Sequence, residues 1–368
     1  LEQNPLSKDV GKVTRVVGSL IEGYLPGALI GSQCFIQVTH KKESVLAEVV
    51  GFKDQKALLM PFSEIHGIGL GSKIILDKQQ STLKLGPELL GRVINGLGEP
   101  IDGKGPIEMI EESPIYKQAT NPLDRRNITD VLDLGIRAIN GMLTVGKGQR
   151  VGIMAGSGVG KSVLLGQMAR NTKADINVIA LVGERGREVK EFIEHDLGPE
   201  GLKRSVVIVA TSDESPLVRM RAAFVATTVA EYFANQGLDV LCMMDSVTRF
   251  AMAQREIGLN VGEPAATKGY PPSVFALLPK MLERMGSFQK GSITGLYTVL
   301  VEGDDMDDPI GDAVRSIVDG HIVLTRKLAH RGHFPAIDVL QSTSRVMRSV
   351  VSDDHVKMSQ KIRELLAI

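Results

Sequence analysis

The sequence predicts an α/β protein whose parallel sheet is covered on both faces, with an all-β domain before it and a short helical piece after it. Three observations predict this. Between Ala138 and about Arg345, short apolar runs alternate with helical stretches. From about Gly11 to Lys78, β-type pieces are broken by glycine, and from Ser352 to Ile368 the spacing is helical.

In the first region, Val13-Thr-Arg-Val-Val-Gly, Gln33-Cys-Phe-Ile-Gln-Val and Val45-Leu-Ala-Glu-Val-Val-Gly-Phe are closely spaced strands with turn residues between them. They read as a small barrel or sandwich, assigned to 1–80. A connector, 81–137, contains the Gly- and Pro-rich stretch Leu97-Gly-Glu-Pro-Ile-Asp-Gly-Lys-Gly-Pro and is counted with the α/β domain, 81–345. That domain's strands are expected at Arg150 to Ala155, Asn177 to Val182, Ser205 to Ala210, Val240 to Met244, Ile293 to Leu300 and His321 to Thr325. They are nearly continuous apolar runs rather than alternating ones, the pattern of parallel strands buried on both sides. Lys161 to Arg170 and Pro216 to Ala234 are the clearest helices between them. Residues 346–368 read as the start of a helical domain cut short. Leu1-Glu2 reads as a cloning remnant, so both ends are expected to be trimmed.

Composition narrows the function classes. A chain of 368 residues suggests two domains or a little more. Lys+Arg and Asp+Glu balance at 43 each, which removes a global electrostatic case for nucleic acid. Cys34 and Cys242 each sit inside an apolar run and read as buried free thiols, which points to a reduced, cytosolic setting. No His or Cys spacing suggests a zinc site. No run approaches the ~18 apolar residues of a membrane span.

The strongest chemical signal is Ala155-Gly-Ser-Gly-Val-Gly-Lys-Ser162, which follows one apolar strand and opens a helix. In that context glycine backbone N–H groups curl around phosphate oxygens, and the helix N-terminus adds its positive end. Lys161 is positioned for the β- and γ-phosphates, and Ser162 for Mg²⁺. Gly156, Ser157, Gly158, Val159, Gly160 and Val163 complete the nucleotide-binding set. Asp245 ends the apolar strand Val240 to Met244, where a carboxylate either holds Mg²⁺ or caps the next helix; the neighbouring phosphate loop favours the metal. In Gly183-Glu184-Arg185-Gly-Arg-Glu188, Glu184 is the candidate for orienting the attacking water, with Glu188 the alternative and Arg185 a candidate γ-phosphate contact. The acidic run Glu302 to Asp308 reads as a solvated loop ahead of Pro309 rather than a cation site, and nothing intrinsic marks Arg345.

Taken with Gly91-Arg-Val-Ile-Asn-Gly-Leu-Gly-Glu-Pro-Ile-Asp, Met244-Asp-Ser-Val-Thr-Arg-Phe-Ala251, Thr267-Lys-Gly-Tyr-Pro-Pro-Ser273, Val301-Glu-Gly-Asp-Asp305 and Ser342-Thr-Ser-Arg345, these motifs cover nearly the whole chain. Together they resemble the flagellar and type III secretion ATPases, relatives of the catalytic subunits of rotary ATP synthases. The phosphate loop and Arg249-Phe-Ala-Met-Ala-Gln-Arg-Glu-Ile-Gly resemble the flagellar kind more. The resemblance implies a RecA-like P-loop ATPase core using ATP and Mg²⁺, in a homohexamer that energises protein export. It implies that Arg345 is an arginine finger given to the neighbouring subunit, that Arg249 faces the site, and that Phe334 stacks on adenine where the family usually has tyrosine. It also implies partners: a stalk or regulator protein, a central coiled-coil rod, the export gate and chaperone–substrate complexes, at the cytoplasmic face of the inner membrane with only peripheral membrane contact and no nucleic acid. With its ends trimmed, the chain alone is compatible with a monomer. The competing readings are a rotary synthase β-like subunit, a RecA-like nucleic-acid translocase, and a subunit that only holds nucleotide. Glu184 argues against the last.

Overall fold

The computed structural model describes residues 10–38, 43–301 and 308–368. Its first six strands are β1 (Val10–Val17), β2 (Leu20–Tyr24), β3 (Gln33–Gln37), β4 (Ser44–Lys53), β5 (Lys56–Pro61) and β6 (Lys73–Lys78). They close into a barrel in the order β1-β2-β5-β4-β3-β6. Alternate residues point inward, so Ile21, Cys34, Ile36, Ala47, Val49, Leu59 and Ile74 fill its interior. Burial pushes the Cys34 thiol up to about 12, with smaller contributions from Glu48 and Asp77, so this thiol is inert.

The connector adds β7 (Thr82–Leu85), β8 (Val93–Asn95) and β9 (Glu111–Pro114). Two buried arginines fasten it. Arg221 meets Glu48 of the barrel at 3.4 Å and also binds Ser81, while Tyr116 donates to the other Glu48 oxygen at 3.0 Å. Arg284 forks onto Glu231 at 2.7 and 2.8 Å and donates to the carbonyl of Ile115 at 2.6 Å. A guanidinium can be buried here because each has carboxylate and carbonyl partners in place.

The α/β domain then runs α1 (Arg137–Met142), β10 (Arg150–Ala155), α2 (Lys161–Asn171), β11 (Ile176–Glu184), α3 (Gly186–Glu191), α4 (Gly198–Lys203), β12 (Ser205–Thr211), α5 (Pro216–Asn235), β13 (Asp239–Asp245), α6 (Val247–Asn260), α7 (Pro272–Leu282), β14 (Gly286–Ser287) and β15 (Ser292–Leu300). It continues with α8 (Pro309–Ile317), β16 (Gly320–Leu324), α9 (Arg326–His330), β17 (Ile337–Ser344), α10 (Met347–Val350) and α11 (Asp353–Leu366). The main sheet has the order β17-β16-β10-β15-β13-β11-β12-β8, parallel except for β17, with the short β14 pairing antiparallel to β15 off this path. Its apolar runs are continuous because both faces are covered. On β11, Val178, Ala180 and Val182 join the core with α5 and α6, while Ile179 and Leu181 join the core with α1 and α2.

The six expected strands all occur: β10 as expected, β11, β12, β13 and β15 extended by one to three residues, and β16 starting and ending one residue earlier. Asp308, the only described residue of the acidic run apart from its flanks, caps α8 by accepting from the N–H groups of Ile310 and Gly311 at 3.0 and 3.1 Å. The rest of that run, and most of the Val301 to Asp305 motif, lies outside the described residues.

Candidate active site: a phosphate loop at one edge, an arginine at the other

Parallel strands end together, so the tips of β10, β11 and β13 meet at one edge of the sheet. The phosphate loop leaves β10 after Ala155 and turns through Gly158 and Gly160, both at positive φ (78° and 81°), into α2. Lys161 Nζ reaches across β15 to Asp245 Oδ1 at 2.5 Å and lies 3.7 Å from Glu184 Oε1. The three sequence-predicted residues are thus brought together. Burial opposes the Lys161 charge, but Asp245 and Glu184 outweigh it and hold the ammonium above its ordinary value. Burial, then the Asp245 charge, pushes the Glu184 carboxyl up to about 7, with Lys161 pulling the other way.

Asp245 is not the helix cap: Ser246 Oγ accepts from the N–H of Arg249 at 3.3 Å and caps α6, which leaves the aspartate facing the loop. The Asp245–Ser246 peptide is cis. Arg249 packs over Gly183, where a Cβ would stand 2.8 Å from the Arg249 Cβ; Gly183 also has φ 73°. Only glycine fits there. Ser162 and Val163 open α2 and are both exposed. Phe334 is exposed too, and its ring edges to 3.5 Å from the Gly160 Cβ position; with Gly158, Val163, Gln167 and Pro335 they line a cleft of about 430 Å³ beside the loop.

Two predicted residues are not brought to this cluster. Arg185 points outward, 82% exposed, and pairs with Glu188 at 3.7 Å. Arg345 sits at the opposite edge. Because β17 is antiparallel, with Gly320 opposite Ser344 and Leu324 opposite Ile337, it starts near the phosphate loop and ends beside the N-terminal ends of the parallel strands. There the Arg345 N–H donates to the Asp319 carbonyl at 2.9 Å, and Asp319 N–H to the Arg150 carbonyl at 2.8 Å. From Arg150 to Ala155 is five steps of about 3.3 Å, roughly 17 Å. That is beyond the reach of one side chain. Among the described residues the Arg345 guanidinium makes no hydrogen bond or ion pair.

One residue that the sequence reasoning missed stands beside Asp245. Thr298 of β15 is fully buried, and its hydroxyl lies 2.7 Å from Asp245 Oδ1 and 3.1 Å from the Met244 carbonyl. A polar β-branched residue inside a strand covered on both faces was the available signal. Among the described residues no three His, Cys, Asp or Glu side chains gather to cage a metal. The Ser162 hydroxyl and the Asp245 carboxylate beside the loop are hard oxygen donors of the kind Mg²⁺ takes.

Residues 135–344 match the nucleotide-binding domain of the ATP synthase alpha/beta family, and residues 13–76 match its beta-barrel domain. The chain belongs to the ATP synthase alpha/beta family. Within that family it is 53% identical, over all of this chain and 84% of the relative, to the flagellum-specific ATP synthase of Bacillus subtilis. Its fold matches the assembled ATPase EscN of the enteropathogenic E. coli type III secretion system with a TM-score of 0.91 at 48% identity, covering 97% of this chain and 86% of EscN. EscN in complex with its central stalk EscO matches with 0.89 at 47%, covering 97% and 85%. This member of the ATP synthase alpha/beta family is therefore an ATPase of the flagellar and type III secretion group. The synthase β-like and nucleic-acid-translocase readings do not fit these matches. No helix among the described residues is long and apolar enough to cross a membrane.

Proposed function

We propose that the chain works as one subunit of a homohexameric ring in which each ATP site is completed by the neighbour, and that hydrolysis there drives export through the flagellar apparatus. The observation that carries this is the separation of Arg345 from its own phosphate loop by the length of β10. An arginine that is exposed, unpaired among the described residues and out of reach of its own site suits a site on another copy.

In this reading Gly156 to Lys161 cradle the phosphates and Lys161 leaves Asp245 for the β- and γ-oxygens. Ser162 and Asp245 hold Mg²⁺, which neutralises charge on those oxygens when bound. Glu184, pushed up to about 7 by burial and by Asp245, orients the water that attacks the γ-phosphorus in line. Arg249 and the neighbour's Arg345 line the γ-phosphate side, and Arg185, which points outward and pairs with Glu188, would have to turn inward to join them. Phe334 offers an aromatic face to the adenine across the cleft by Gly160. The proposed partners are a central stalk, as EscO is to EscN, with a coiled-coil rod, the export gate and chaperone–substrate complexes at the cytoplasmic face of the inner membrane.

The test is specific ATPase rate against protein concentration, with molar mass measured in parallel. A rate that climbs as rings form supports shared sites; a full rate from a pure monomer sinks the assignment of Arg345. The flagellar part is tested separately. Restored swimming in a strain lacking its flagellar ATPase is expected, and failure there with rescue of a type III secretion strain would move the assignment to the other apparatus.

A further inference from the structure

The backbone that carries Arg345 is held with unusual care for a surface arginine. Arg150 forks onto Asp319, with Nε donating to Oδ2 and Nη2 to Oδ1, both at 3.1 Å. The Arg150 N–H donates to Oδ2 as well, at 3.0 Å, and Nη1 meets Glu283. Burial works against the Arg150 charge, but Asp319 and Glu283 outweigh it and hold the guanidinium above its ordinary value. Asp319 in turn passes its carbonyl to the Arg345 N–H at 2.9 Å. Gln149 Nε2 donates to that same carbonyl at 3.2 Å and to Ser344 Oγ at 3.1 Å, and Ser344 Oγ donates to the Thr144 carbonyl at 2.8 Å.

All of these contacts converge on residues 344–345 and stop there. The main chain is braced from both sides, the guanidinium beyond it has no partner among the described residues, and the bracing pair is itself largely buried, with Arg150 and Asp319 side chains 15% and 26% exposed. Bidentate arginine–carboxylate pairs fix direction as well as distance. A group meant to act on a developing charge in another subunit needs that fixity, because misplacement by about 1 Å can cost about 10²-fold in rate.

We infer that Arg150 and Asp319 are positioning residues for Arg345: they form a seat that aims its guanidinium outward, at the partner subunit's phosphate site. This rests on the proposed role of Arg345 in trans. The seat touches no nucleotide, so its loss damages only the site that the subunit completes for its neighbour and leaves its own phosphate loop intact.

The experiment compares Asp319→Asn, Arg345→Ala and the double variant in the full chain under ring-forming conditions. Fluorescent nucleotide binding and ATP hydrolysis are measured for each alone and mixed with Lys161→Ala subunits. Asp319→Asn is expected to bind nucleotide like the parent and to hydrolyse it about 10- to 100-fold more slowly. It should regain activity when mixed with Lys161→Ala, as Arg345→Ala does, and should add no further loss on top of Arg345→Ala. A rate within about two-fold of the parent overturns the inference. So does weakened nucleotide binding, or no recovery in rings that do recover Arg345→Ala. If Arg345→Ala itself hydrolyses like the parent, the trans role falls first and the seat falls with it. Should Asp319→Asn not fold, Ser344→Ala removes the Gln149–Thr144 brace without touching a charge. It is then expected to show the same mixing recovery with a smaller loss, and parental activity overturns the inference.

Discussion

At the C-terminal edge of the sheet, Lys161 sits 2.5 Å from Asp245 and 3.7 Å from Glu184, and the three charges answer one another inside a single chain. At the N-terminal edge, Arg345 has its main chain braced and its charge answered by nothing among the described residues. If Lys161 binds phosphate as proposed, the first arrangement is that of a site opened by its ligand, because Lys161 would have to leave Asp245 first. The second is that of a group held ready for a ligand elsewhere. In the proposed reading, the buried ion pair and the surface cation left unpaired among the described residues are the two halves of one reaction, kept apart by the length of β10 until a second copy brings them together.

The largest way to break this comparison is to delete the far half. Arg345→Ala is expected to lower the ring's turnover by about 10³–10⁵-fold with nucleotide binding retained. Single-turnover rates beside fluorescent-nucleotide titrations measure this, and parental turnover would show that the near half suffices alone. Glu184→Gln comes next. It keeps the shape of the carboxylate and removes its capacity to take a proton, so ATP should bind and hydrolysis should fall by about 10²–10⁴-fold. Turnover near the parental rate would hand the water-orienting role to Glu188, which is 49% exposed on the first turn of α3.

The same contrast explains what could be read from sequence. The near edge was legible because parallel strands bring consecutive strand tips to one place, so Lys161, Glu184 and Asp245 could be located by where apolar runs stop. The barrel was legible from glycine-punctuated strands, and the buried thiols from their apolar flanks. At the far edge the same logic is silent. Asp319 looks like an ordinary residue before a strand, Arg150 like the polar start of another, and their pairing across 169 residues depends on the crossing of β10 beside β16. Arg345 itself became visible only through resemblance. Thr298 was hidden for a related reason: its partner on β13 is one strand away, and no sequence spacing encodes which strands become neighbours.

Thr298→Val sharpens the near half. The exchange keeps the branched shape and removes the hydroxyl 2.7 Å from Asp245 Oδ1. A hydrogen bond to a charged group is worth about 1.5–3 kcal/mol, so the Mg²⁺ concentration for half-maximal activity should rise roughly 10-fold or more. Nucleotide binding without metal should hardly change, and Thr298→Ser should restore the parental Mg²⁺ dependence. An unchanged Mg²⁺ dependence would make Thr298 a packing residue only.

The smallest effect sharpens the far half. His321 of β16 lies beside β17, its Nε2 3.1 Å from the Gln341 carbonyl. Burial holds its imidazole below the ordinary histidine value, with the positive charges of Arg315 and Arg345 adding to the effect. A histidine held low binds protons less readily folded than unfolded, so this group stabilises the fold above the ordinary histidine range and loses that contribution as pH falls through it. Removing the Arg345 charge should let the imidazole rise toward its ordinary value, followed by NMR titration of the dilute, unassembled chain. The loss of stability on acidification should become slightly shallower. Because Arg345 is the smallest of the causes, burial will still dominate, and only the direction is diagnostic. An imidazole that titrates identically in Arg345→Ala would mean that the guanidinium swings clear of β16. The seat would then hold the backbone of Arg345 without aiming its charge, and the fixity inferred from Arg150 and Asp319 would have to come from the neighbouring subunit instead.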